Sequence, residues 1–100
     1  MYPTITNEEL EAALAEQPQI VLDVRETADF DEAHIDGAVN IPINELAAKY
    51  EQLDRTKPIY VICYLGGRSQ IASDFLQTQG YQVTNVSGGM NNWQSETTSS

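Results

Sequence analysis

Cysteine, histidine and basic residues are scarce in this 100-residue sequence. It contains one cysteine, Cys63, and one histidine, His34. A single cysteine excludes an internal disulfide, and one cysteine with one histidine cannot supply the ligands of a zinc site. Any chemistry at Cys63 therefore uses one sulfur, alone or with a second molecule. The sequence predicts no metal and no other cofactor.

The shortage of basic residues sets the charge of the protein. Five basic residues against fifteen acidic ones give a formal net charge of −10 at pH 7. Such a charge repels nucleic-acid phosphates and anionic membrane surfaces, so we expect neither as a partner.

Long apolar runs are absent as well. None approaches the roughly 20 residues that span a bilayer. The first residues, MYPTITNEEL, lack the basic and apolar regions of a signal peptide. We therefore expect a cytoplasmic protein, either a monomer or a weak dimer. A chain of this length, with 41% hydrophobic residues, suits one domain, which we place at residues 1–94. The polar residues 95–100 are expected to be a disordered tail.

The helices are predicted from capping residues and apolar spacing. Thr6 and Glu9 form a capping box at the start of a helix over residues 7–16. Further helical segments are predicted over residues 28–34, 43–53, 69–79 and 90–94. In the helix over residues 69–79, the side chains expected to face the core are Ile71, Ala72, Phe75 and Leu76.

The strands are predicted from short β-branched runs. These runs cover residues 20–22, 38–41, 59–62 and 83–86. Residues 59–62 are apolar without alternation, as is typical of a parallel strand covered on both faces, and should be the most central strand. Because strands alternate with helices, the sequence predicts an α/β fold with a mostly parallel sheet.

Cys63 follows the predicted central strand and precedes a glycine-rich turn. Ligands of open α/β sheets bind beyond the carboxyl ends of the strands. Gly66 and Gly67 allow backbone N–H groups to converge on one point, and the next helix adds its free N–H groups. This environment favours a thiolate nucleophile at Cys63. Arg68 would supply a fixed positive charge, whereas Ser69 is first of all a helix cap.

A buried, inert role for Cys63 stays open at this point, since free cysteine behaves as a small apolar residue in many cores. Asp23 and Arg25 follow another buried strand. They either line the site or pair with each other and with loop backbone, and we favour the pairing. His34 is either a general base or a hydrogen-bonded structural residue, and we favour the structural role.

Four segments together resemble the single-domain rhodaneses, a family of sulfurtransferases. DVRE at residues 23–26 resembles the first family motif, and residues 30–42, with AHIDGAVNIP, resemble the second. CYLGGRS at residues 63–69 resembles the active-site loop, and residues 80–93 resemble the closing segment. The resemblance implies a three-layer rhodanese-like domain, with a central sheet of about five short strands flanked by helices.

The resemblance also implies an activity. Cys63 would take a sulfane sulfur from a donor such as thiosulfate, hold it as a persulfide, and pass it to cyanide or a thiol. The loop amides from Tyr64, Leu65, Gly66, Gly67, Arg68 and Ser69 would hold the terminal sulfur. A non-catalytic binding module is one alternative. A cysteine phosphatase is another, but that family has five residues between cysteine and arginine, and this chain has four.

The residues directly after Cys63 bear on the substrate. Many thiosulfate-using rhodaneses have polar or basic side chains where this chain has Tyr64 and Leu65. The resemblance therefore implies that thiosulfate itself is a poor substrate. We expect the donor or acceptor to be a low-molecular-weight thiol or the persulfide of a partner protein, approaching an apolar rim.

Overall fold

The computed structural model describes residues 2–100, which form a parallel sheet covered by helices. Thr6 caps the first helix through the reciprocal hydrogen bonds with Glu9 that the sequence predicts. The strands are β1 (Thr4–Ile5), β2 (Ile20–Asp23), β3 (Val39–Asn40), β4 (Ile59–Ile62) and β5 (Val83–Val86). The helices are α1 (Asn7–Glu16), α2 (Thr27–Glu32), α3 (Leu46–Lys49) and α4 (Gly67–Thr78), with 3₁₀ turns at Ile43–Glu45, Tyr50–Gln52 and Met90–Asn92.

The five strands pair in the order β1-β5-β4-β2-β3, and every pairing is parallel. β4 is the central strand, as predicted. After β2 the chain adds β3 on one side and then returns to place β4 on the other side. The strand order therefore reverses between β2 and β4, and ligands of α/β sheets bind at the carboxyl ends of strands at such a reversal.

Two apolar clusters cover the two faces of the sheet, which gives three layers. Side chains alternate along β4, so that Ile59 and Val61 join one cluster and Ile62 joins the other. Leu76 of α4 packs in the first cluster, and Leu10 of α1 packs in the second. The predicted α/β architecture is confirmed. No helix among residues 2–100 is both long and apolar enough to cross a membrane.

Two details of the helices differ from the sequence prediction. The helix predicted over residues 43–53 is divided into α3 and two flanking 3₁₀ turns. The Tyr81 hydroxyl donates to the carbonyl oxygens of Tyr50 and Leu53, which holds the end of this segment in its tighter path. The inward position predicted for Ile71 is wrong, because this side chain is 62% exposed. The inward face of α4 is formed instead by Ser69, Ala72, Ser73 and Leu76.

Both ends of the chain pair with the domain. The sequence analysis misses β1, which is two residues long and becomes a strand by pairing with β5. Residues 95–100 are predicted to be disordered from their composition. In the structure, His34 and Thr98 exchange two backbone hydrogen bonds, and the N–H of Ser100 donates to the Asp31 carbonyl oxygen.

Candidate active site

Cys63 lies at the carboxyl end of the central strand, and its sulfur accepts two backbone hydrogen bonds. The N–H of Gly66 lies 3.0 Å from Sγ, and the N–H of Ser69 lies 3.2 Å from it. The residue is buried, with 1% exposure, yet it lines a pocket that opens to the surface. Two N–H dipoles directed at one sulfur stabilise negative charge on it.

The glycine turn brings these two donors together. Gly66 has a φ of 105°, a left-handed conformation that other residues rarely adopt, and it is the N-cap of α4. Ser69 is the third residue of α4, so its N–H is one of the donors that the first helical turn leaves unpaired. Its hydroxyl donates to the Gly66 carbonyl oxygen at 3.0 Å and so fixes the turn. The predicted capping role of Ser69 thus takes the form of a brace inside the loop.

The segment after β5 is hydrogen-bonded to the backbone of the loop that follows Cys63. The N–H of Met90 donates to the Cys63 carbonyl oxygen at 2.7 Å, and the N–H of Asn91 donates to that of Tyr64 at 2.9 Å. A Cβ on Gly89 would lie 2.2 Å from the Tyr64 oxygen, so this position has room for glycine alone. Asn7 donates from Nδ2 to the Gly89 carbonyl oxygen and links α1 to the same segment.

The pocket over the sulfur has a volume of about 380 Å³. Its lining residues are Asp29, Cys63, Tyr64, Leu65, Gly67 and Arg68. Tyr64 is 54% exposed and Leu65 is 68% exposed, which gives the pocket the apolar rim expected from the sequence. Arg68 is also exposed, and its guanidinium has no hydrogen bond or ion pair within the described residues 2–100. Its charge is therefore free to meet a ligand.

Asp23 and Arg25 form a buried ion pair beside the site. Nε and Nη2 of Arg25 donate to the Asp23 carboxylate at 2.8–3.1 Å, and Nη2 also donates to the Ala33 carbonyl oxygen. Asn40 donates from Nδ2 to the carbonyl oxygens of both Asp23 and Arg25. Of the two interpretations given above, the structure therefore has Asp23 and Arg25 paired with each other and with loop backbone.

His34 is buried by an aromatic stack on Phe30. The ring centroids are 3.7 Å apart, and Nδ1 lies 2.6 Å from the Phe30 carbonyl oxygen. Because a carbonyl oxygen accepts, Nδ1 carries the hydrogen. The backbone of His34 pairs with Thr98. These contacts are those of a structural residue, and His34 is not among the residues that line the pocket over Cys63.

The sequence analysis did not identify two contributions to the site. Asp29 of α2 lines the pocket, but it looks like any surface carboxylate in an acidic sequence. The segment Gly89 to Asn91 supports the loop; its signals in the sequence are the glycine pair after β5 and the resemblance of residues 80–93 to the closing segment of the family, and neither predicts this contact. Within residues 2–100 no group of three or more His, Cys, Asp or Glu side chains is arranged to hold a metal ion.

Comparison with known proteins identifies the family. The family model for the rhodanese-like domain matches residues 6–96. "Thiosulfate sulfurtransferase GlpE" of Shewanella oneidensis is 38% identical over 88 residues, which cover 87% of this chain and 86% of that protein. "Putative sulfurtransferase YtwF" of Bacillus subtilis is 37% identical, with 83% of this chain and 81% of that protein covered. The chain therefore belongs to the rhodanese-like domain family, and several of its relatives are named as sulfurtransferases or sulfur carriers.

Solved structures and longer relatives agree with this assignment. A rhodanese-like domain protein from Staphylococcus aureus superposes with a TM-score of 0.92 at 28% identity, covering 98% of each chain. "Putative sulfur carrier protein YrkF" of Bacillus subtilis is 40% identical over 77% of this chain. The chain spans 42% of that protein and 20% of a Porphyra purpurea protein named "Probable molybdopterin-synthase adenylyltransferase". The domain thus occurs both alone and as part of larger proteins.

Proposed function

We propose that this protein is a sulfurtransferase that carries a sulfane sulfur as a persulfide on Cys63. The observation that carries the proposal is the pair of N–H groups of Gly66 and Ser69 on Sγ of the chain's one cysteine. Both donors stabilise negative charge on the sulfur during the reaction, and the pocket above it is open to a small donor. The family membership supports the same function, since several relatives are named as sulfurtransferases or sulfur carriers.

The reaction has two displacement steps. In the first, the Cys63 thiolate attacks the outer sulfur of thiosulfate. The S–S bond of thiosulfate breaks, and sulfite leaves with the electron pair. In the second, cyanide or a thiolate attacks the outer sulfur of the Cys63 persulfide. The persulfide bond breaks, Cys63 returns to its thiolate, and the acceptor leaves as thiocyanate or as a new persulfide.

Three groups of this chain serve those steps. The loop N–H groups stabilise the negative charge on sulfur when the thiolate attacks and when it is released again. Arg68 attracts the anionic end of the donor, because its guanidinium has no partner within the described part of the chain. The backbone hydrogen bonds from Met90 and Asn91 keep the loop in place, so little reorganisation accompanies the reaction.

The test is the mass of the intact protein after incubation with a sulfur donor. Thiosulfate should add one sulfur atom, and cyanide or a reductant should remove it. Cys63→Ser should show no added sulfur and a loss of thiocyanate formation of about 1,000-fold or more. Absence of the adduct with thiosulfate and with a thiol persulfide would favour a binding module, and activity on an aryl phosphate would favour a phosphatase.

A further inference from the structure

A second pocket adjoins the pocket over Cys63. It has a volume of about 400 Å³ and shares Asp29 and Tyr64 with the first pocket. Its lining residues are Arg25, Asp29, Glu32, Ala33 and Tyr64. We call the two together the double cleft. Its length beyond the sulfur leaves space for more than a single thiol group.

The outer part of the double cleft is negative. Asp29 and Glu32 are exposed on α2, and neither carboxylate has an ion pair within residues 2–100. Arg25 also lines this part, but its guanidinium is buried and already paired with Asp23. The cation left free is Arg68, at the other end, beside Cys63. A small dianion such as thiosulfate therefore meets the Asp29 carboxylate in the same pocket as the Arg68 guanidinium.

Two large exposed side chains, Tyr64 and Leu65, also line the double cleft. Tyr64 lines both pockets, and Leu65 lines the first. Both side chains are more than half exposed. Exposed apolar residues bordered by charges are typical of surfaces that bind another protein. Cys63 and Leu65 thus line the first pocket, Tyr64 and Asp29 lie where the two pockets meet, and Glu32 lines the second pocket.

We propose that the physiological sulfur acceptor is a polypeptide segment in which a cysteine is followed by a basic residue. This inference rests on the proposed function. The acceptor's cysteine enters the pocket over Cys63, its apolar neighbour contacts Leu65 and Tyr64, and its basic side chain pairs with Asp29 and Glu32. The opposite charges give orientation and a faster encounter in addition to affinity.

The transfer itself balances without a further reactant. The acceptor thiolate attacks the outer sulfur of the Cys63 persulfide, and a new S–S bond forms. The S–S bond to Cys63 breaks, and Cys63 leaves as a thiolate. The acceptor then holds the outer sulfur, with its proton, as its own persulfide.

The experiment uses two N-acetylated peptide amides, Gly-Leu-Cys-Lys-Gly and Gly-Leu-Cys-Glu-Gly. The full-length protein is loaded with sulfur, the loading is verified by mass, and the rate constant of transfer to each peptide is measured at low ionic strength. Both peptides are then compared on Asp29→Asn/Glu32→Gln. For each protein, the rate constant for the lysine peptide is divided by that for the glutamate peptide. Dividing the ratio of the unmodified protein by the ratio of the variant then cancels the intrinsic difference in reactivity between the two thiols.

The preference for the lysine peptide should be about tenfold larger in the unmodified protein than in Asp29→Asn/Glu32→Gln. It should also shrink as salt is added. Glu8→Gln/Glu11→Gln is the matched control, since it makes the same change in net charge. These residues line a separate groove along α1 that shares no residue with the double cleft. This control should keep the full preference.

Two results separate the failure of this inference from failure of the proposed function. If no sulfur loads on Cys63, the proposed function fails. If sulfur loads normally but the ratio between peptides is the same in all three proteins, the docking proposal is overturned. The physiological acceptor would then be a small thiol, because the charge beside the acceptor cysteine would have no effect on transfer.

Discussion

The two central strands β2 and β4 end side by side, yet their polar groups are used in opposite ways. Asp23 at the end of β2 is in register with Ile62, the residue before Cys63. Both Asp23 and Cys63 are almost fully buried. The Asp23 carboxylate accepts mainly from the guanidinium of Arg25, with one further bond from the Arg25 backbone N–H, whereas the Cys63 sulfur accepts from the backbone donors of Gly66 and Ser69.

At this edge of the sheet, Asp23 has a structural role and Cys63 is placed to react with a ligand. A charge paired by a matched side chain has little capacity left for a ligand. Within the described residues, the sulfur of Cys63 has no side-chain partner and lines the pocket, and the arginine of that loop stays unpaired. In both loops an acidic or thiol side chain is followed by an arginine. The pair of Asp23 and Arg25 is a structural ion pair, whereas Cys63 and Arg68 belong to the candidate active site.

The largest expected effect on stability comes from breaking the ion pair between Asp23 and Arg25. Arg25→Ala leaves the Asp23 carboxylate buried without its partner, and it should lower the free energy of unfolding by about 3 kcal/mol. Arg68→Ala removes an exposed arginine, and it should change that free energy by less than about 0.5 kcal/mol. Urea unfolding followed by circular dichroism measures both changes.

The rate of sulfur loading should show the opposite order, with the larger loss in Arg68→Ala. Arg68→Ala should slow sulfur loading from thiosulfate by about tenfold, because it removes the free cation of the pocket. Arg25→Ala should retain its loading rate per folded molecule. A larger loss of stability in Arg68→Ala than in Arg25→Ala would reverse the assignment of the two arginines.

The next effect concerns the turn that aims the backbone donors at Cys63. In Gly66→Ala, a Cβ would lie 2.7 Å from the Ser87 carbonyl oxygen at a residue with a φ of 105°. We expect a loss of about 2 kcal/mol of unfolding free energy and a fall of about tenfold in sulfur loading. Both follow because the N–H of residue 66 is displaced from Sγ.

Gly67→Ala is the matched control for this turn. No heavy atom lies within 4 Å of a Cβ at Gly67, which begins α4. Alanine should therefore be neutral or stabilising by up to about 1 kcal/mol. Equal losses of loading in the two variants would show that the loop tolerates no side chain at all. That result would contradict a specific role for the conformation of Gly66.

Local sequence was enough to predict most of the fold and the central part of the site. The capping box of α1, the unbroken apolar run of β4 and the glycine turn after Cys63 each depend on neighbouring residues, and each is found as predicted. The strand β1 depends on distant residues instead, because Thr4–Ile5 becomes a strand by pairing with β5. No local pattern marks a strand of two residues.

The errors at α4 and at the pocket have the same origin. Apolar spacing predicts that Ile71 faces inward, whereas the buried face of α4 includes two serines, Ser69 and Ser73. Asp29 and Glu32 reach the double cleft from α2, far from Cys63 in the chain. Tertiary packing decides which small polar residues are buried and which surface carboxylates lie beside a distant loop. The spacing of apolar residues in the sequence predicts neither of these features.

Substitution of Ser69 and Ser73 should have the smallest effect on the free energy of unfolding. Both residues lie on the same helix, so they can be compared directly. Both are fully buried on α4. The Ser69 hydroxyl donates to the Gly66 carbonyl oxygen, whereas that of Ser73 has no hydrogen-bond partner within residues 2–100. Ser69→Ala should therefore lower the free energy of unfolding by about 1 kcal/mol, and Ser73→Ala should leave it unchanged or raise it slightly.

The same pair tests whether the loop holds the sulfur through backbone or side-chain groups. Ser69→Ala keeps the N–H that donates to Sγ, so it should slow sulfur loading by less than about threefold. A loss as large as that of Gly66→Ala would mean that the hydroxyl is needed for loading, either through its hydrogen bond to Gly66 or at the reacting sulfur. In that case the backbone alone would not hold the sulfur, and the contrast between the sulfur after β4 and the carboxylate of β2 would no longer hold.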